Sequence, residues 1–125
     1  MTLKAISSKS GVAVGPYSHA IDADGFIFLS GQTPIDPASG KLVSGSITEE
    51  TKQCLTNLGA VLEAANLTFE NVIKCNVFLT DMNFFNEMND EYKKFFNEPY
   101  PARSTVAVAG LPLGARVEIE MVAKR

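Results

Sequence analysis

The apolar residues of this chain change their repeat several times along its length, and that change limits what the chain can fold into. Ile47, Cys54, Leu55, Leu58, Val61, Leu62 and Ala65 recur at helical spacing, which puts them on one side of an α-helix. From Val72 to Leu79 the repeat drops to two. Ile73, Cys75, Val77 and Leu79 then share one face, and Val72, Lys74, Asn76 and Phe78 the other. Helical spacing returns at Phe85, Met88, Tyr92, Phe95 and Phe96. Alternation returns from Arg103 to Val108, and again where Val117, Ile119 and Met121 interleave with Glu118 and Glu120. A chain that needs both periods in this order folds as α+β, with two amphipathic helices covering one face of a sheet.

Local punctuation fits that division. Asp24-Gly25 separates the runs 18–23 and 26–31, and an Asp-Gly pair between apolar-rich runs is a hairpin turn because glycine accepts positive φ. Pro34 to Gly40 holds two prolines, which cannot donate to a ladder, so this stretch is a turn and not a central strand. Ser46 and Glu49 stand at capping-box spacing, Asn66 can close the first helix, Asp81 caps the second, and Pro99 and Pro101 end it. The expected order is β-β-β-α-β-α-β-β in a single domain over 1–125. The sheet face away from the helices is expected to carry Arg103, Thr105, Lys74, Asn76 and Phe78. Left bare, so mixed a face invites a second copy of the chain, which predicts a homo-oligomer. A solvated antiparallel face is the alternative.

Composition excludes several classes of function. The 125 residues carry a net charge of −3, and the densest basic pair is Lys93-Lys94. The basic footprint of a nucleic-acid binder is not visible. Two cysteines, Cys54 and Cys75, each lie on an apolar face and read as buried free thiols. His19 is the only histidine, so a structural zinc site has no ligand set and no metal is expected. No apolar run reaches the roughly 18 residues of a membrane span, and residues 1–11 lack the apolar core of a secretory leader. A cytoplasmic protein is expected.

The chemistry-bearing residues are few. Pro101 fixes the backbone just before Arg103. The Arg103 guanidinium could take a carboxylate through two parallel hydrogen bonds, as binding of a small 2-oxo or 2-imino acid requires; an ordinary surface ion pair is the other reading. One or both of Glu118 and Glu120 must point away from the helix-covered face, and Glu118 there either holds a water and passes a proton or is a solvated strand carboxylate. Tyr17 either roofs a pocket or joins the core. Ser30-Gly31 either lets a ligand approach the backbone or makes a plain turn. His19 lacks a partner at a useful spacing and reads as a strand-face residue.

Taken together, these residues carry a resemblance. The segments GPYSHAI at 15–21, FLSGQTPIDPASGKLV at 28–43, NDEYKKFF at 89–96 and PARSTVAVAGLPLGARVEIEMVA at 101–123 resemble the RidA/YjgF family of reactive-intermediate deaminases, also called endoribonuclease L-PSP or translation inhibitors. The resemblance implies a chorismate-mutase-like fold, a homotrimer with clefts between subunits, and no cofactor. It implies a 2-iminobutanoate/2-iminopropanoate deaminase, a hydrolase acting on C=N that turns enamine and imine products of pyridoxal-phosphate dehydratases into 2-oxo acids and ammonia. By motif, Arg103 would hold the substrate carboxylate and Glu118 would position water. Tyr17, Ser30, Gly31, Asn89 and Thr105 would line the cleft, Thr105 through its backbone. Thr105 stands where many relatives have cysteine, and His19 where they often have glutamine. The alternatives are an endoribonuclease or a non-catalytic 2-oxo-acid binding module.

Overall fold

The computed structural model describes residues 2–8 and 15–125; part of the segment read above for a leader, 1–11, lies outside them. Strands β1 (Leu3–Ile6), β2 (Ala20–Ala23) and β3 (Phe26–Gln32) are followed by a short ribbon, β4 (Ile35–Asp36) and β5 (Lys41–Leu42). Then come α1 (Ile47–Ala64), β6 (Val72–Leu79), α2 (Phe85–Tyr92), β7 (Ala102–Ala107) and β8 (Val117–Lys124). Six strands form one mixed sheet in the order β1-β2-β3-β8-β6-β7, and β4 and β5 pair apart from it. Every contact in the large sheet is antiparallel except β6 with β7, which α2 joins as a crossover. The expected α+β order holds, with the proline-rich stretch kept out of the sheet as a small ribbon of its own.

Helix α1 starts where a side chain can satisfy its orphan donors. Ser46 is the N-cap and its hydroxyl accepts from the Glu49 N–H. At the far end Asn66 takes φ 60°, a left-handed conformation that asparagine tolerates and that stops the helix. The buried stripe runs through Ile47, Cys54, Leu55, Leu58, Val61 and Leu62. Leu55 and Leu58 are fully buried, each stabilising the fold by about 2 kcal/mol. They pack on Ile27, Cys75, Val77, Val117, Ile119 and Met121 from the sheet. Asp81 caps a single 3-10 turn, its carboxylate accepting from the Asn83 N–H, and α2 follows from that turn. Phe95 and Phe96 lie beyond the end of α2 but still pack with Phe69 edge to face, at 5.5 and 5.4 Å between centroids.

Two sequence expectations fail through strand register. The β6–β8 pairing slips between Val72 and Lys74, and such a bulge inverts the facing of the residues before it. Val72 is therefore buried and Ile73 exposed, the reverse of strict alternation. The second concerns Arg103 and Thr105, expected on the bare face with Lys74, Asn76 and Phe78. The parallel register sets Arg103 beside Cys75 and Thr105 beside Val77, and both partners are buried beneath the helices. Arg103 and Thr105 therefore belong to the helix-covered side, and Ser104 and Val106 take the open side, where Ser104 accepts from Lys74 Nζ at 3.4 Å. Phe28, Ile73 and Val106 stand exposed on the described surface.

Candidate active site

One half of the candidate site is built on β7. Arg103 is half-buried, and its guanidinium carbon lies 4.7 Å from the ring centroid of Tyr92 and 5.6 Å from that of Phe85. The aromatic faces hold the cation by their quadrupoles and leave the planar N–H edge of the fork for an anion. Among the described residues no ion pair involves Arg103. In front of it opens a cleft of about 470 Å³ lined by Asn89, Tyr92, Lys93, Tyr100, Pro101 and Arg103. Thr105 lies two residues along the same strand face, and its buried hydroxyl lacks a hydrogen-bond partner. β7 is an edge of the sheet, which leaves part of its backbone unpaired for a ligand.

Beneath Arg103 sit two groups that chemistry could use but burial silences. Burial pushes the Cys75 thiol up to about 11, so it is not a thiolate at neutral pH. Burial first, and then the neighbouring thiol, push the Tyr92 phenol far above its usual range. The two are neighbours without the geometry of a hydrogen bond, and the Tyr92 hydroxyl is unsatisfied. Tyr92 therefore serves as a platform for Arg103 and not as an acid.

The other half of the candidate site is on β8 and β3. Val117, Ile119 and Met121 point into the core, which sends Glu118 and Glu120 to the open face, as strand alternation requires. The β3–β8 register slips between Leu29 and Gln32, and Ser30 and Gly31 occupy the slip. Glu118 lies directly over Gly31: a Cβ at Gly31 would sit 2.8 Å from Glu118 Oε2 and 3.0 Å from its Cδ. Glycine is what this close approach demands. Ser30 Oγ donates to the Ser18 carbonyl at 2.7 Å, and Ser30 N–H to the His19 carbonyl at 2.9 Å. These bonds bring the segment carrying Tyr17 next to Gly31. Tyr17 is 41% exposed, so it is not core. Burial, and then the Glu120 carboxylate, raise Glu118 above the ordinary glutamate value. Glu120 is itself held by Asn76 Nδ2 at 3.0 Å.

The structure thus brings Ser30, Gly31 and Glu118 together and ties Ser18 and His19, which follow Tyr17 in the chain, to Ser30. It separately places Asn89 and Arg103 around one cleft, with Thr105 beside it. The halves do not meet within one chain, because Arg103 is on the helix-covered side of the sheet and Glu118 on the other. His19 is buried, and its Nδ1 accepts from the Ser8 N–H at 3.0 Å. Sequence reasoning missed Tyr92 and Phe85 as the bed of Arg103, assigning both to the core stripe. The signal needed was the β6–β7 register, which the sequence does not display. It also missed Glu120 as the electrostatic neighbour of Glu118, although two residues apart on a strand means the same face. Among the described residues there is no cluster able to hold a metal ion, and no helix is long and apolar enough to cross a membrane.

Comparison with known proteins sets this geometry in a family. Residues 8–125 match the family described as Endoribonuclease L-PSP. The chain is 50% identical over 117 residues to a 2-iminobutanoate/2-iminopropanoate deaminase of Capra hircus, covering 94% of this chain and 85% of that one. It superposes on the crystal structure of the yeast protein YEO7 with a TM-score of 0.96 at 46% identity, covering 99% of each chain. It superposes on E. coli TdcF with bound serine with a TM-score of 0.91 at 38% identity, covering 98% of each. The chain belongs to the endoribonuclease L-PSP family, the RidA/YjgF family that its motifs resemble.

Proposed function

We propose that this chain is an imine deaminase that hydrolyses 2-imino acids, and the enamines in equilibrium with them, to 2-oxo acids and ammonia. The single observation that carries the reading is the aromatic-bedded Arg103, facing an open cleft without an acidic partner, on a chain half identical to 2-iminobutanoate/2-iminopropanoate deaminases. A protonated imine carbon is already electrophilic, so an activated serine or cysteine nucleophile is unnecessary. Arg103 takes the substrate carboxylate and fixes where C2 lies. Water adds to C2 as Glu118 accepts its proton, giving a carbinolamine. The proton passes to the amine, the C–N bond breaks, ammonia leaves and the carbonyl forms. A carboxyl group with a raised pKa is suited to take and return that proton. Asn89, Tyr17, Ser30 and Gly31 orient the substrate, with the Thr105 backbone near the nitrogen. The reaction needs neither metal nor cofactor.

The site closes only between copies. Arg103 and Glu118 lie on opposite sides of one sheet, so both reach one substrate only if the open face of one copy meets the cleft of the next. A homotrimer with three such clefts satisfies this with one repeated contact, formed by a single-domain chain over 1–125. Two reduced, buried thiols fit a cytoplasmic setting. The endoribonuclease reading asks for an acid–base pair, and the only imidazole, His19, is buried and committed to Ser8.

The test is competition for an imine formed in situ by an amino-acid oxidase, with semicarbazide as the trap. Wild-type protein suppresses the semicarbazone. Arg103→Ala keeps its fold and loses at least about 100-fold in kcat/KM, the scale of lost orientation. Equal suppression by the variant removes the carboxylate-clamp role. No suppression by wild-type protein with any imino acid removes the enzyme reading.

A further inference from the structure

Lys93 stands with Arg103 on the wall of one cleft, and a substrate with a single carboxylate uses only one of them. The lining comprises two cations, an amide, two phenols and a proline, without a carboxylate: Asn89, Tyr92, Lys93, Tyr100, Pro101 and Arg103. The adjacent lysines have divided roles. Lys94 Nζ pairs at 3.0 Å with Glu91, whose carboxylate is buried. Lys93 pairs only at 3.7 Å with Asp90, both ends exposed, a contact of little strength and easily exchanged for a ligand. Lys93 follows directly on Tyr92, the residue that beds Arg103, so its backbone is anchored beside that bed while its exposed ammonium is left to reach a ligand in the cleft. A monoanion in this cleft neutralises half of the charge; a dianion neutralises both.

We infer that the cleft is built for a dicarboxylic ligand, a 2-imino dicarboxylic acid, with Arg103 on the carboxylate beside C2 and Lys93 on the distal carboxylate. The bond changes at C2 are those of the reaction above, and the distal carboxylate takes no part in them. The catalytic part of this inference rests on the deaminase reading; the binding part does not.

The experiment separates the two. Titration calorimetry at low ionic strength compares 2-oxoglutarate with 2-oxobutanoate, stable stand-ins for the diacid and the monoacid, on wild-type protein, Lys93→Met, and Lys41→Met as a control in the exposed β5 ribbon. The expected result is roughly fivefold tighter binding of 2-oxoglutarate by wild type, the scale of one partly exposed ion pair. That preference is kept in Lys41→Met and lost in Lys93→Met. Equal affinities in wild type, a preference that survives in Lys93→Met, or binding of neither acid overturns the inference. Semicarbazide competition with 2-iminoglutarate and 2-iminopropanoate runs in parallel. Failure to hydrolyse either, with the calorimetric preference intact, sinks the deaminase reading and leaves the diacid site. Hydrolysis of 2-iminopropanoate without a diacid preference does the reverse.

Discussion

Gly31→Ala should disable the site while sparing the fold. The methyl group would sit 2.8 Å from Glu118 Oε2, 3.0 Å from Cδ and 3.2 Å from Cγ. An ordinary contact needs about 3.5 Å, so the carboxylate must retreat by roughly 0.7 Å. It can do so because it is the end of a flexible side chain on a half-exposed strand face. The backbone is not strained, since Gly31 is not among the glycines with positive φ. Stability should change by less than about 1 kcal/mol, a few degrees in Tm for a domain of this size. Activity should change far more: misplacing a catalytic group by about 1 Å costs on the order of 100-fold, and the smaller shift here predicts a 10- to 100-fold fall in kcat/KM. The assay pairs thermal unfolding with semicarbazide competition. A variant with normal Tm and kcat/KM within about twofold of wild type would refute the claim that the seat of Glu118 on Gly31 is part of the site.

Glu118→Gln should abolish turnover and yet raise Tm near neutral pH. Burial and the neighbouring Glu120 raise the Glu118 pKa above its ordinary 4.5 in the folded chain. The folded state therefore binds the proton more tightly than the unfolded state, and ionisation costs stability as pH rises from about 4.5 through the folded pKa. The variant's advantage in Tm should grow as pH rises above about 4.5 and vanish below about pH 4; an advantage independent of pH would show that the charge is not its source. Arg116→Ala should be strongly destabilising, because Arg116 Nε donates to the buried Glu50 carboxylate at 2.6 Å and its NH2 group to the Gly45 carbonyl at 2.6 Å. Removing it strands a buried charge at a cost of about 3 kcal/mol, and urea unfolding should show a lowered midpoint with an unchanged m-value.

How much of this was legible in the sequence depended on whether it was local. The α1 stripe, its Ser46 cap, the Asp24-Gly25 hairpin and the alternation of β8 all follow from rules that act within a few residues, and the fold class follows from them. What failed was register. Nothing in Val72-Ile73-Lys74 announces a slip against β8, and nothing in Ala102–Ala107 says which parity will lie beside Cys75. Arg103 was legible as a residue and by its family motif, but its side of the sheet is a property of the β6–β7 pairing. The buried polar residues tell the same story. Asn57 lies on the buried side of α1 because its amide donates to the Ile35 carbonyl at 2.8 Å, a partner that exists only once the β4–β5 ribbon has folded over the helix.

If Arg103 of one copy and Glu118 of another act on one substrate, two chains each lacking one of these groups should complement each other. Arg103→Ala and Glu118→Gln chains should each be inactive alone. Unfolded together in equal amounts and refolded, they should assemble randomly. In a ring with one repeated contact, about a quarter of the clefts would then unite an intact Arg103 with an intact Glu118. A site shared between copies predicts that imine hydrolysis returns to about a quarter of the wild-type rate per cleft, while each variant refolded alone stays inactive. A mixed assembly that forms and remains inactive would contradict it.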